Sequence, residues 1–356
     1  MTSSLAAARA RALWVRGRRV DFDLSDDQRA LRDAARDLLA EHATTERVRA
    51  SLGTGIDRDL WSALASQGWL AVEVDGSGGG LGLGFVEVAL LAEAIGRHVA
   101  PAPFLSTVLA RDAVARAAAD GVAGATEWVE RLATGDAIGA VGWSGELVVD
   151  APIADVIVLA DAEAVRLVTP ATAPATEPAM DETRSVGWVR ETGVAIGGPA
   201  DAQRLFDRAS AGYAAEMLGA SERMLEVSVE YAKVREQFGR PIGSFQAIKH
   251  RLADALVDVE GMRSSAWYAG WSVSVEDPGR SLAASTAKAW CADASGRVMD
   301  SALQVHGGIG FTWEHDLHLY LKRAQLDQHV FGTAPAHRER LASLLEQRLA
   351  AGEDLW

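Results

Sequence analysis

The chain has 356 residues, 49% of them hydrophobic, with 35 Lys+Arg against 49 Asp+Glu, so the net charge is 35 − 49 = −14. This allows a sizeable core in one large domain or two to three small ones, and the acidity weighs against a nucleic-acid partner, which is bound through Lys and Arg. The single cysteine, Cys291, excludes an intrachain disulfide and fits a reducing, cytoplasmic compartment, and no apolar run reaches the roughly 18 residues of a membrane-spanning helix.

Met1 to Arg19 is rich in Ala and Arg and free of acids until Asp21. It lacks the apolar segment of a signal peptide, so a disordered extension is expected over 1–20. Ser25 and Gln28 form an S-x-x-Q capping box, and Leu31, Ala34, Ala35, Leu38 and Leu39 follow at helical spacing. Further helices are expected at about 59–67, 85–97 and 106–119, with a glycine-rich turn over 76–84. The region 21–134 thus reads as a helical domain.

At about Gly135 the texture changes. The stretches 137–143, 146–149, 155–159 and 164–168 are short, rich in β-branched residues and punctuated by Pro and Gly. They predict a small β domain over 135–200. From Ala202 the residues Phe206, Ala209, Tyr213, Met217, Ala220, Met224, Val227 and Tyr231 recur every three or four positions. So long a helix packs in a bundle, and helices at about 244–274, 282–304, 317–328 and 336–349 complete a helical domain over 201–356.

Three segments carry chemistry. In R-E-Q-F-G-R-P-I-G-S-F-Q (235–246), Gly239 and Pro241 are expected to stop the long helix and Ser244 to start the next. Arg235 offers a planar donor fork suited to a diphosphate, and Phe238 an aromatic face. The same residue types also suit a well-capped turn with solvated arginines. In Q-V-H-G-G-I-G-F (304–311), the glycines let the backbone approach a ligand with its N–H groups exposed, or simply end a helix. In T-W-E-H-D-L-H-L-Y-L-K-R (312–323), His315 and His318, taken with His306, Glu314 and Asp316, match no standard zinc or di-iron spacing, so no metal is expected.

Together and in order, these segments closely resemble the acyl-CoA dehydrogenase family, with weaker agreement over 78–97 and across the N-terminal helices. The resemblance spans about 21–345. It implies a mainly α fold with a small β domain: an N-terminal helical domain, a reduced middle β domain and a C-terminal four-helix bundle. It also implies FAD lying across a subunit interface. Arg235, Gln237 and Phe238 would meet the pyrophosphate and adenosine end of a neighbour's flavin, and Gln304, Gly307 and Gly308 its adenosine portion, with Thr333 also among the cofactor contacts.

The sequence departs from the family pattern on the flavin-ring side. The opening strand runs almost directly into Trp143-Ser-Gly-Glu146, so the middle domain is shortened. The Thr176-Glu-Pro178 triplet stands too late to be the family's. Removing the α proton of a thioester requires a carboxylate within hydrogen-bond reach. Most members place a glutamate just before a Gly-Thr pair, but here Phe331 precedes Gly332-Thr333. Other members carry the base at the start of the long helix, where Asp207 is the nearby carboxylate. Asp207 also suits that helix end as a favourable dipole partner.

The resemblance therefore implies an acyl-CoA dehydrogenase subunit acting on an acyl-CoA thioester, with electron-transferring flavoprotein as electron acceptor. One form is a heterotetramer in which this chain donates the ADP-side half-site to a homologous catalytic subunit. Known relatives of that kind often take bulky steroid side-chain thioesters. The alternatives are a self-sufficient homomer with Asp207 or another carboxylate as base, and a flavin-free structural or binding subunit.

Overall fold

A computed structural model describes residues 23–76 and 79–353. The expected extension over 1–20 lies outside them. The helix α1 (Asp26–His42) opens on the expected reciprocal cap: Ser25 Oγ accepts from Gln28 N and Gln28 Oε1 from Ser25 N. A short α2 (Thr45–Ala50) follows, then α3 (Arg58–Ser66), α4 (Phe85–His98), α5 (Phe104–Ala119) and α6 (Ala125–Thr134).

The β part holds β1 (Gly139–Trp143), β2 (Leu147–Val149), β3 (Val156–Ala160), β4 (Val165–Val168), β5 (Val186–Trp188) and β6 (Val194–Gly197). Four strands form a sheet in the order β1-β3-β4-β6, with β1 and β3 parallel and the other pairs antiparallel. β2 and β5 pair separately. Val156 to Ala160 are all buried, as a continuous apolar run in a covered strand requires. β5 and β6 lie beyond the four strands that the residue pattern indicates.

The helix α7 (Pro199–Val234) runs 36 residues, about 54 Å at 1.5 Å per residue. Pro199 occupies its first turn, where a missing N–H costs nothing. Its end differs from expectation, because the helix stops at Val234, before Gly239. Glu236–Gln237 (β7) and Arg240–Pro241 (β8) instead form a tight hairpin. Its two turn residues, Phe238 and Gly239, both have positive φ, at 57° and 75°, as a two-residue hairpin turn of that hand demands. Then come α8 (Gln246–Ser274), α9 (Arg280–His306), α10 (Leu317–His329) and α11 (Ala334–Ala350).

One hydrophobic cluster runs through all three parts, from Leu39 and Leu60 through Val108, Ile157 and Val158 to Met217, Met262 and Val298. The helices α4 and α7 cross with their backbones in contact. A Cβ on Gly96 would lie 1.9 Å from the Glu216 carbonyl oxygen, and one on Gly219 would lie 1.8 Å from the Glu93 carbonyl oxygen. Glycine is required at both points because the obstacle is backbone that cannot turn aside. Overpacking a core typically costs roughly 1–3 kcal/mol. Gly219→Ala is therefore expected to destabilise the fold by about 3 kcal/mol, at the upper end of that range, in urea unfolding. A change within about 0.5 kcal/mol, the usual effect of a surface substitution, would show that the crossing is looser than described.

Candidate functional site

The two motif-bearing segments leave the fold at one place. Tyr231, in the last turn of α7, stacks on His306, the last residue of α9, with ring centroids 4.5 Å apart at 24°. His315 also packs on His306, tilted at 59° with centroids 4.5 Å apart. Burial, and then His315, push the His306 imidazole below its ordinary pKa. Among the described residues no group of three His, Cys, Asp or Glu is placed to hold a metal.

From this anchor the hairpin carries Arg235, Gln237 and Phe238 outward, and the turn after α9 carries Gly307 and Gly308. Arg235, Gln237 and Gln304 are all exposed, and Phe238 is 92% exposed. Gly307 has φ 60°, and a Cβ on Gly307 or Gly308 would meet only open space. A guanidinium fork, glycine backbone that no side chain covers and a bare aromatic face suit a diphosphate joined to a flat heteroaromatic ring. Ile309, Phe311 and Trp313 add further exposed apolar surface here. An ADP-like group therefore fits this end, though the chain covers only one side of it.

The other end is closed. Phe331 is 2% exposed with φ 55°, a left-handed conformation that a bulky residue rarely adopts. Three contacts fix its loop. His337 Nε2 lies 2.9 Å from the Phe331 carbonyl oxygen, and Lys288 Nζ donates to the Gly332 and Gln328 carbonyls at 2.9 and 3.2 Å. The Phe331 ring lies 5.9 Å from Phe206 and 6.2 Å from Tyr213, and Phe206 meets Trp143 edge-on at 5.2 Å. Burial lowers the Lys288 amine to about 8, and burial together with Lys288 lowers His337 to about 4. Thr333 sits at the N-terminal cap of α11.

Asp207 is fully buried. Its Oδ1 accepts from Arg340 at 2.7 Å and its Oδ2 from Ser281 at 2.6 Å. Arg340 in turn lies over the Phe206 ring at 4.7 Å. Both carboxylate oxygens are thus spent on the seam between α7, α9 and α11. Beside them an open cleft of about 400 Å³ is lined by Trp143, Gln203, Phe206, Arg340 and Leu344. It is separated from Tyr213 by the Phe206–Phe331 pair.

Beneath Tyr213 lies a cluster that the sequence reading missed. Arg184 donates to both oxygens of Glu216 at 2.6 and 2.8 Å. Arg323 donates to Glu216 at 2.7 Å, to Asp181 at 2.8 Å and to Thr183. Asp150 accepts from Ser106 at 2.6 Å and lies 3.4 Å from Arg184. All are buried. Asp327 is buried with neither oxygen hydrogen-bonded, so burial, and then the negative Glu216, push its pKa well above the ordinary range. Burial raises Asp150 as well. The available signal was a charge on an apolar helical face: Glu216 and Arg323 stand where the spacing of α7 and α10 calls for hydrophobic residues.

Comparison with known proteins gives one direction. The acyl-CoA dehydrogenase C-terminal domain model matches residues 197–345, and the N-terminal domain model matches residues 25–136. An acyl-CoA dehydrogenase called IpdE2 from Mycolicibacterium smegmatis is 37% identical over 321 residues, covering 89% of this chain and 98% of that protein. A chain of the ChsE4–ChsE5 complex from Mycobacterium tuberculosis superposes with a TM-score of 0.81 at 30% identity, over 93% of this chain and 99% of that one. A variant of the Tcur3481–Tcur3483 steroid ACAD superposes at 0.80 with 28% identity, over 91% and 99%.

The cluster makes a pH prediction. A carboxyl raised in the folded state stabilises fully below the ordinary unfolded value of about 3.9, and that share is lost as pH rises toward the folded value. Asp327→Asn keeps a neutral side chain of the same shape. It is expected to leave stability unchanged below about pH 4 and to raise it increasingly as pH climbs to 8, flattening the alkaline side of the urea-unfolding profile. Marked destabilisation at pH 8 would mean that Asp327 is a charged partner of the arginines.

Proposed function

Because this chain belongs to the acyl-CoA dehydrogenase family, we propose that it is the non-catalytic half of a heteromeric, FAD-dependent acyl-CoA dehydrogenase. It lends the ADP-side half of the flavin site to a homologous partner subunit, which carries the base and the acyl pocket. The observation that carries this reading is the contrast between the chain's two ends. The ADP-type end is built and exposed, while the position of the family's glutamate holds a buried phenylalanine, Phe331, packed on Phe206 and Tyr213.

In this reading Arg235 holds the diphosphate with its fork, and Gln237 and Phe238 receive the adenosine end. The adenine side rests against Gln304, Gly307 and Gly308, whereas Thr333 caps α11 beside the Phe331 loop and would meet the flavin away from them. When bound, FAD supplies the hydride acceptor for α,β-dehydrogenation of the thioester. This chain's own part is to hold and orient the nucleotide half and to exclude water from it. The ring half does not fit this chain's closed end, where the buried Phe331, packed on Phe206 and Tyr213, occupies the position of the family's glutamate. Asp207 is bound by Arg340 and Ser281, which argues against its service as the base of a homomeric enzyme.

Similarity to chains of the ChsE4–ChsE5 and Tcur3481–Tcur3483 pairs supports a two-subunit assembly, and the steroid activity named for the latter supports a bulky thioester substrate. Electron-transferring flavoprotein is the proposed electron acceptor. No described helix is long and apolar enough to cross a membrane, in keeping with a proposed cytoplasmic location.

Arg235→Ala tests the assignment. A hydrogen bond to a charged group contributes roughly 1.5–3 kcal/mol, so the variant complex should lose about ten-fold or more in FAD affinity while its circular dichroism and native mass stay unchanged. Undiminished flavin content would remove Arg235 from the site.

A further inference from the structure

A second cleft, of about 510 Å³, opens at the seam between the N-terminal helices and the bundle. Its apolar floor is Ala43, Val48, Val99 and Leu319, with Tyr320 beside them. Three arginines face it: Arg36 from α1, Arg97 from α4 and Arg223 from α7. Two of these are held from behind by carboxylates that do not line the cleft. Arg36 pairs with Glu222 at 2.7 Å, and Arg97 with Glu222 at 3.0 Å and Glu226 at 2.6 Å. Arg223 reaches Glu226 only at 3.6 Å, and its side chain is 44% exposed.

Two further observations mark this as a built site. Val99 adopts φ 45°, a genuine outlier for a β-branched residue, and such strain collects at ligand-binding positions. His98 also lines the cleft. Burial, and then Arg97, Arg223 and Arg36, hold its imidazole neutral, down to about 4. Arg223, whose carboxylate partner Glu226 stands 3.6 Å away, is the guanidinium of the three least committed to a protein acid and so the one open to an anion. On the rim stand Asp37 and Asp316, the latter paired with Arg49 at 2.8 Å. These would repel a dianion but tolerate a single negative charge seated deeper.

We propose that this cleft binds a small organic monocarboxylate, with its head on Arg223 and Arg97 and its apolar body on Val48, Val99 and Leu319. A volume of this size lies within the usual range for small-molecule sites, which join an apolar lining to a few placed polar groups. The site shares no residue with the exposed nucleotide end or with the Phe331 loop, so it stands independently of the function proposed above.

The test uses the purified full-length protein, titrated at pH 7 with octanoate and, separately, with inorganic phosphate. Octanoate should bind with one site per chain by calorimetry, and phosphate at least ten-fold more weakly. Arg223→Ala should weaken octanoate at least ten-fold, and Arg223→Gln, which keeps the bulk, should do the same. Arg29→Ala, on the same helix as Arg36 but outside the cleft, should change nothing. Bound carboxylate should also move the His98 imidazole titration upward by NMR, since a nearby negative charge favours the protonated ring. Absence of saturable octanoate binding, indifference to both Arg223 variants, or phosphate binding as tightly as octanoate would each overturn the proposal.

Discussion

The pairing of Arg184 and Arg323 with Glu216 is the constraint on which the rest of the molecule depends. It joins three parts of the chain: the segment before β5, the middle of α7, and α10. Removing buried ions from water costs several kcal/mol each, recovered only with good geometry and satisfied donors. Here Arg184 grips Glu216 with both carboxylate oxygens, and Asp181 and Thr183 satisfy Arg323. Such a junction tolerates little displacement, because losing one partner typically costs about 3–5 kcal/mol. It fixes the register of α10 against α7, and α10 in turn sets where the loop carrying Phe331 lies.

That geometry decides what the chain can do chemically. With α10 pinned, Lys288 and His337 hold the backbone carbonyls of the loop, and the Phe331 ring is driven between Phe206 and Tyr213. The aromatic pile thus stands on a buried ionic cluster and places Phe331 where the family's base would stand. The opposite end of α7 shows the reverse economy of contacts. The Tyr231–His306 stack secures two helix termini and leaves everything beyond them uncovered. A bare phenylalanine gains little from solvent, and the exposure of Phe238 beside Arg235, Gly307 and Gly308 is intelligible as one face of a site completed by another subunit.

The long helices were legible because their apolar spacing is sustained over many turns and their starts carry local signals, such as the Ser25–Gln28 cap. Four strands were legible from short β-branched runs between Gly and Pro. The six residues of α2 are too few to show a period, and β5 and β6, at three and four residues, are too short for an alternation, so only pairing partners distinguish strand from loop. The end of α7 was misplaced because Gly239 looked like a helix stop, whereas it serves the turn of a hairpin. Of the candidate site, the exposed nucleotide end was readable from composition and order. The engagement of Asp207 by Arg340 and Ser281 was not, since those partners lie 133 and 74 residues away in sequence. Glu216 and Arg323 were invisible for a similar reason, because each looks like a misfit until its distant counter-charge is known.

The account's central claim is that this chain is one open half and one closed half of a flavin site. The most direct measurement is the ratio of FAD to chain in the purified protein, from visible absorbance against total protein, taken together with native mass. The claim predicts folded protein with little or no flavin alone, and one FAD per pair of chains once a homologous partner is co-purified. One FAD per chain in a homodimer or homotetramer would contradict it.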